Sequence, residues 1–263
     1  MCLIAVNWQP RAPVPLIIAA NRDEFYARPT QGLNRWADQN IVAGKDLQAH
    51  GTWLGVSLSG RVAALTNYRD PSNNRLGAPS RGDITAAFLS GSVNCGQYLE
   101  KLASRAHVYN PFNLLVFDGK SLMGFESRHR RAFKLPEGVS VVSNADFNVP
   151  WPKVSRLCEG FTKTLAQHNF DADSAADQAG INALFALLSD PRTAPETDLP
   201  QTGIPLEWEK ALSAEFIHMP DYGTRASSVV LVGRNQANFV ERTFDVNGFT
   251  GEVQQRIDWQ SHP

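Results

Sequence analysis

Apolar, β-branched runs dominate the first quarter of the chain and predict β-strands. Four of these runs follow one another: CLIAVNW, VPLIIAANRD, TWLGVSLSG and RVAALTNY. A proline-rich segment, QPRAP, separates the first two, and the tight turn Ser59-Gly60 separates the last two. Because polar turns of this kind join consecutive strands as hairpins, the pattern predicts two antiparallel pairs.

From residue 80 onward the apolar period changes to that of helices. Residues 80–92 and 94–106 fit two helices, with Ser80 and Asn94 as N-caps and Gly91 as the break between them. The same reasoning assigns strands to 112–119, 121–128, 138–145, 225–233 and 237–245, helices to 151–168 and 180–189, and loops to 28–50 and 190–205. Blocks of antiparallel strands with helices between them predict an α+β protein.

Composition and charge are those of an ordinary globular protein. The 263 residues are 43% hydrophobic and 19% charged, and their formal net charge is −1. This length, without a shift in composition, predicts one domain over 1–263. Since positive charge is not in excess, no binding of nucleic acid is expected. No basic segment precedes the first apolar run, and no run reaches the roughly 20 residues of a membrane span, so we expect a cytoplasmic protein.

The cysteines and histidines are not spaced as metal ligands or as disulfide partners. Cys2, Cys95 and Cys158 are scattered, and the six histidines form no H-E-x-x-H motif. The glycine-rich motifs that bind nucleotides are missing as well. We therefore expect no metal, disulfide or cofactor. Cys158 falls on the apolar positions of a helix and Cys95 lies near a helix start, where packing is the expected role.

Polar residues stand at the ends of several apolar strands. They are Asn21, Arg22, Asp23 and Glu24 after the second run, Asn67 after the fourth, Asn144 at the end of VVSN, and Arg225 at the start of RASSVVLV. Each position alone is also typical of a solvated turn. Together they are typical of a site at one edge of a sheet, where an amide such as that of Asn67 can donate to a developing oxyanion.

Cys2 directly follows the initiator methionine, and this position has two interpretations. The side chain can be a small buried hydrophobe at the start of a strand. If Met1 is removed, Cys2 becomes the N-terminal residue. Its α-amine, with an ordinary pKa of roughly 8, can then serve as the base for its own thiol.

Separate motifs occur in a recognisable order: MC at the start, NRDEF, GTWLGVSLSGRVAALTNYRDP, RGDI, VSNADFNVPWPKV and YGTRASSV. Together they resemble the NRDE family, also named the transport and Golgi organisation protein 2 family, and they reach to about residue 235. That family is similar to the N-terminal-nucleophile hydrolases of the cysteine type, such as choloylglycine hydrolases and penicillin V acylases. The resemblance implies a four-layer αββα sandwich, with two antiparallel sheets flanked by helices.

The resemblance also implies roles for the polar strand ends. Cys2 matches the nucleophile of those hydrolases, and Asp23 matches the aspartate that holds its α-amine. Asn67 and Asn144 match two asparagines at the oxyanion site. Arg225 matches an arginine near the nucleophile.

The sequence departs from the acylase pattern at Arg22 and Asp23. In the acylases two residues separate the corresponding arginine and aspartate, whereas here the two are adjacent. Neighbours on a strand point to opposite faces, so both would reach Cys2 only if the strand has already turned. Asp23 is therefore the safer match, Glu24 could substitute for one of the pair, and Asn21 is a supporting candidate.

The resemblance, together with these residues, implies an amidohydrolase that cleaves a non-peptide linear amide, or N-acyl compound, through an acyl-enzyme. Arg22 or Arg225 would lower the pKa of the Cys2 thiol below its ordinary value near 8.5. The alternative is a non-catalytic carrier of lipids, acyl thioesters or haem on the same fold. Both interpretations expect a small-molecule partner. A thiol redox protein fits less well, because Cys2 has no paired second cysteine.

Overall fold

The computed structural model describes residues 2–37, 39–172 and 178–259, and within them the strands form two antiparallel sheets. The first sheet has the strand order β10 (Gly138–Val142), β1 (Cys2–Trp8), β2 (Leu16–Phe25), β11 (Tyr222–Val232), β12 (Gln236–Asp245) and β13 (Gly248–Asp258). The second has the order β3 (Thr30–Arg35), β4 (Ile41–Asp46), β5 (Leu54–Ser57), β6 (Val62–Asn67), β7 (Phe112–Phe117), β8 (Leu122–Glu126) and β9 (Arg131–Lys134). The α+β class predicted from the sequence is confirmed.

Helices cover the outer face of each sheet. They are α1 (Gly82–Ser90) and α2 (Cys95–Arg105) on the second sheet, and α3 (Pro152–Gln167) and α4 (Gln178–Leu188) on the first. The short α5 (Leu206–Ala211) packs in a separate small cluster with Tyr222. One apolar core lies between the two sheets. A second core joins the first sheet to α3 and α4, and a third joins the second sheet to α1 and α2. The layers are thus helix, sheet, sheet and helix.

The side-chain alternation of β1 shows why the sheets stack in this way. Ile4 and Val6 point into the core between the sheets, whereas Leu3 and Ala5 point outward to the core under α3 and α4. A strand that is buried on both faces reads as a continuous apolar run rather than an alternating one. This explains why CLIAVNW has so little polar character.

The register of β1 against β2 places Cys2 opposite Arg22. β2 does not end where its apolar run ends, since it continues through the polar residues to Phe25 and pairs there with β11. Asn21, Arg22 and Asp23 are buried in the sheet. Interpreting this segment as a solvated turn would therefore be wrong, and the turn that Arg22 and Asp23 were expected to need does not occur between them.

Some elements depart from the sequence expectation. The segment 28–50 was expected to be a loop but contains β3 and β4, and neither α5 nor β13 was expected. β3 and β13 lie at sheet edges and are mostly half-buried or exposed, so their apolar periodicity is weak. Asn94 caps α2 as predicted, accepting from the Gln97 N–H at 2.9 Å. At α1 the cap position is Arg81, and Ser80 accepts from the Gly82 N–H instead.

Asn21 connects β2 to the helical layer behind it. Its side-chain amide donates to the carbonyls of Leu188 and Glu215, each at 2.8 Å, and its oxygen accepts from the Ser227 hydroxyl at 2.6 Å. The side chain is fully buried and faces away from Cys2. Its contribution to the site is therefore to hold β2 in place.

Replacing Asn21 by Ala is expected to lower the free energy of unfolding by about 2–4 kcal/mol, because buried carbonyls and a hydroxyl lose their partner. Urea unfolding of the purified protein measures this loss. Asn182→Ala, at an exposed position of α4, serves as the control and is expected to change stability by less than about 0.5 kcal/mol. An Asn21→Ala variant as stable as the control would contradict the assignment.

Candidate active site

The N-terminal end of β1 opens on a cavity of about 870 Å³ between the two sheets. Its wall includes most of the polar residues predicted from the strand ends, namely Cys2, Arg22, Asp23, Glu24, Asn67 and Arg225. Asn21 and Asn144 do not line the cavity. Residues far apart in the sequence thus meet at one cavity.

Cys2 is buried at the edge of this cavity, with 6% of its surface exposed. Burial raises the pKa of its thiol above the ordinary value, the Asp23 carboxylate adds to the rise, and the Arg22 guanidinium opposes it. The expected influence of a nearby arginine is present, since Arg22 lowers the pKa of the thiol, but burial has the larger effect. Desolvation of the thiolate outweighs the attraction of the positively charged N-terminus and of the Arg22 guanidinium.

Arg22 points into the cavity on the same side of the sheet as Cys2. One guanidinium nitrogen donates to the Thr30 hydroxyl at 3.2 Å, and the other donates to the Asp46 carboxylate at 3.4 Å. The Arg28 side chain also donates to Asp46, at 2.6 Å. Glu24, two residues beyond Arg22, lies on the same face. Its carboxylate is 4.0 Å from Arg22, so it belongs to this charge cluster and is not on the face of Asp23.

Asp23 points to the opposite face, yet it also reaches the cavity because it lies beyond the position of β2 that pairs with Cys2. Its carboxylate accepts from the Thr224 hydroxyl at 2.8 Å. Burial raises the pKa of Asp23, and the Lys153 ammonium is the largest influence that opposes the rise. Arg22 and Asp23 can therefore both lie near Cys2 although they are adjacent, because they approach the start of β1 from opposite faces of the sheet.

Asn67 and Asn144 form one unit at the end of β6. The Asn144 side chain is fully buried and donates to the Asn67 carbonyl at 2.9 Å. Asn67 lies on the cavity wall, and within the described chain its side-chain amide has no protein hydrogen-bond partner. Asn67 is therefore the amide open to a ligand, and Asn144 holds the strand end that carries it. A direct oxyanion contact from Asn144 stays a prediction.

Arg225 lies where β11 shifts its register against β2. Its guanidinium donates to the carbonyls of Phe25, Tyr26, Arg28 and Phe244 at 3.0 to 3.2 Å. Burial lowers its pKa. Arg225 therefore holds the turn after β2 at the wall of the cavity. A direct influence of Arg225 on Cys2 stays a prediction.

Arg81 is a cavity residue to which the sequence reasoning gave no role. It occurs in the RGDI motif, and one of its guanidinium nitrogens donates to the Pro111 carbonyl at 3.1 Å. Burial lowers its pKa, while the nearby Cys2 and Glu24 raise it. The sequence showed only that Arg81 belongs to the RGDI motif at the start of a helix. That its side chain points into the cavity could not be deduced without the fold.

Glu241 is a second residue that was missed. It is buried on β12 and lines the cavity, where it accepts from the Leu33 N–H at 2.7 Å and from the Ser228 hydroxyl at 3.2 Å. Burial raises its pKa to about 7. The sequence offered one indication of this position. Glu241 is two residues after Phe239 on the same strand, so both side chains point to the core between the sheets.

A second cavity, of about 440 Å³, adjoins the first and shares Glu24, Asn67 and Arg81 with it. An aromatic group forms one side of it: Phe25, Trp208 and Tyr222. The polar cavity at Cys2 therefore continues into a more apolar space. This arrangement suits a ligand with one polar and one apolar part.

The remaining cysteines lie away from the cavity. Cys95 is buried, and its sulfur faces the carbonyls of Val116 and Ser121, while burial raises its pKa strongly. Cys158 packs at the edge of the core under α3 and α4. Within residues 2–37, 39–172 and 178–259 no cluster of His, Cys, Asp and Glu is placed to hold a metal ion. In that same part of the chain, no helix combines the length and apolar character needed to span a membrane.

These features define a class of protein in which two stacked antiparallel sheets lie between helices and the first strand brings a cysteine to a charged cavity. The chain belongs to the family described as Transport and Golgi organisation 2, whose profile matches residues 1–246. The resemblance seen in the sequence motifs is thereby confirmed.

Several named relatives match over nearly their whole length. The chain is 34% identical to the Transport and Golgi organization protein 2 homologs of Bos taurus and of Homo sapiens, over 92% of this chain and 93% of each relative. Identity to Transport and Golgi organization protein 2 of Drosophila melanogaster is 27%, over 94% of this chain and 93% of the relative.

Two solved structures show a weaker likeness. One is the Caenorhabditis elegans N-acylethanolamine-hydrolyzing acid amidase ortholog, with a TM-score of 0.48 and 11% identity over 89% of this chain and 93% of that chain. The other is the C2A mutant of conjugated bile acid hydrolase from Clostridium perfringens, with a TM-score of 0.45 and 10% identity over 98% of this chain and 92% of that chain.

The raised pKa of Glu241 predicts a pH dependence of stability. Between about pH 5 and about pH 7 the folded protein keeps a proton on Glu241 that the unfolded chain has lost, so stability falls as the pH rises. The pKa of about 7 corresponds to a loss of about 2–3 kcal/mol across this window. Glu241→Gln is expected to show a smaller decline in urea unfolding. The exposed Glu100→Gln is the control, and an equal decline in both variants would refute the prediction.

Proposed function

We propose that the protein is an N-terminal-cysteine amidohydrolase that cleaves a non-peptide linear amide through an acyl-enzyme. The observation that carries the proposal is the meeting of Cys2, Asp23 and Asn67 at the wall of one cavity. A nucleophile, a group to hold its amine and a donor for an oxyanion are the parts that acyl transfer requires. No residue of the proposal depends on a bound metal or cofactor.

Removal of Met1 would free the α-amine of Cys2 beside Asp23. Because burial raises the thiol pKa, the thiol needs a base next to it, and an α-amine with a pKa of roughly 8 can take its proton. The sulfur then attacks the amide carbonyl, and a carbon–sulfur bond forms. The carbon–nitrogen bond breaks as the ammonium gives its proton to the leaving nitrogen.

Water completes the reaction in the second half. The free α-amine takes a proton from a water molecule, which attacks the thioester carbonyl. The carbon–sulfur bond breaks, the acid product leaves, and the thiol regains its proton. Asn67 donates to the oxyanion in both halves, while Asn144 keeps Asn67 in place through its bond to the Asn67 carbonyl.

The two adjoining cavities support a substrate that is linear and of small-molecule size. The polar cavity would hold the amide near Cys2, and the aromatic side of the second cavity would hold an apolar part. A carrier of such ligands is the second candidate function. The observation that favours it is the raised pKa of the Cys2 thiol, because a protonated thiol binds a ligand without reacting.

Intact mass of the purified protein is expected to show loss of Met1. Exposure to a panel of N-acyl amides should then add an acyl group to the wild-type protein, and the adduct should be absent from Cys2→Ala. Cys158→Ala is the control, because Cys158 packs on α3 away from the cavity, and it should form the adduct as the wild type does.

Two results decide between the candidate functions. Retention of Met1 would falsify the hydrolase proposal, since Cys2 would have no free α-amine. If Met1 is lost, no adduct forms and Cys2→Ala binds the amides as tightly as the wild type, the carrier function is supported instead.

Asn67→Ala is expected to slow formation of the acyl adduct by about 10²- to 10³-fold, because one donor to the oxyanion is lost. Binding of the same amide, measured in the Cys2→Ala background, should change little, since the donor acts mainly on the transition state. Asn182→Ala, on the surface of α4, is the control. A parallel loss of binding and rate would show that Asn67 only holds the ligand.

A further inference from the structure

Lys153 lies in the first turn of α3 and is almost fully buried, with 1% of its surface exposed. Among the described residues its ammonium has no hydrogen-bond partner. Burying an ammonium without such a partner is costly, and a lysine at this depth is rare unless it interacts with a charge. The packing function of the side chain alone could be fulfilled by Met or Leu at no such cost.

The charged group that most affects the Lys153 ammonium is the Asp23 carboxylate. α3 packs on the outer face of the first sheet, the face to which Asp23 points. Of the surrounding groups, the Asp23 carboxylate has the largest electrostatic effect on Lys153, and Lys153 has the largest on Asp23. Burial lowers the pKa of Lys153 to about 8, and Asp23 opposes this shift.

Two arginine side chains near Asp23 are paired with other carboxylates. Arg69 pairs with Glu209 at 2.5 Å, and Arg22 donates to Asp46 on the opposite face of the sheet. Glu215, a further carboxylate near Lys153, pairs with Arg156 at 2.7 Å. Among the described residues, Lys153 is thus a side-chain cation near Asp23 that is not hydrogen-bonded to another group.

We propose that Lys153 is a positioning residue that keeps Asp23 ionised, so that Asp23 can hold the α-amine of Cys2. This inference rests on the proposed function and adds a residue to it from the helical layer behind the sheet. Lys153 acts through Asp23 and does not touch the substrate, because it is not on the cavity wall.

The titration of Asp23 depends on groups from every element around it. These are Lys153 of α3, the positive charge of the N-terminus, Cys2 of β1, Arg22 of β2, Thr224 and Tyr222 of β11, and Arg69 after β6. Burial favours the protonated carboxyl, and Lys153 favours the carboxylate. Without the ammonium, Asp23 takes up its proton at a higher pH and no longer attracts a positively charged amine.

The full-length protein labelled with ¹³C at the aspartate carboxyls tests this directly by NMR titration, with Asp23→Asn identifying the signal. In Lys153→Met the midpoint for Asp23 is expected to rise by about one pH unit or more. Lys153→Arg, which keeps the charge, should stay near the wild type. Lys163→Met is the control on the same helix, because Lys163 is exposed and pairs with Glu159.

A purely structural role for Lys153 would lower stability in Lys153→Met and leave the Asp23 midpoint unchanged, and this result would overturn the proposal. If Lys153→Met does not fold, Lys153→Gln removes the same charge with a polar side chain, and the same shift is expected.

The rate of acyl-adduct formation against pH separates this inference from the proposed function. Its acid limb should move to higher pH in Lys153→Met together with the Asp23 midpoint. If the midpoint moves but no variant and no wild-type protein forms an adduct, the hydrolase proposal fails while the link between Lys153 and Asp23 stands. If the midpoint moves and the acid limb of an active protein does not, Asp23 does not act on the amine and the positioning role is refuted.

Discussion

The pairing of β1 with β2 is the constraint on which the site depends. Cys2 lies opposite Arg22, so both side chains face the cavity between the sheets, while Leu3 and Asp23 face the helices. A slip of one residue would exchange these two faces. Such a slip would turn Arg22 towards the helices and Asp23 towards the core between the sheets, and each would lose its present hydrogen-bond partner inside the protein. The same packing that stabilises the fold therefore fixes which groups can meet the thiol.

Burial is the dominant electrostatic influence at this site. It raises the pKa of Cys2, Asp23 and Glu241, and in each case the neighbouring cations or donors only moderate the effect. The arginines of the cavity are largely engaged with carboxylates or carbonyls: Arg22 with Asp46, and Arg225 with the turn after β2. The cavity therefore does not ionise the thiol by itself, and any reaction needs a base placed beside the sulfur.

Hydrophobic periodicity predicted the central elements well, because β1, β2, β5 and β6 have continuous apolar runs. It failed at β3 and β13, which lie at sheet edges with half their side chains in solvent, and at α5, which is too short to show a period. In the same way, strand ends predicted Asn67 and Asp23 at the site. Arg81 and Glu241 were missed, because their importance depends on which neighbours surround them.

The sequence by itself determined the α+β class, the family motifs, the cysteine directly after Met1 and the polar residues that end the strands. Only the tertiary structure decided that Arg22 and Asp23 approach Cys2 from opposite faces, that Asn144 holds Asn67, and that Lys153 lies behind Asp23. The physical reason is one of range. Periodicity and turn chemistry act between residues close in sequence, whereas register, burial and the pKa of a buried group depend on segments that only folding brings together.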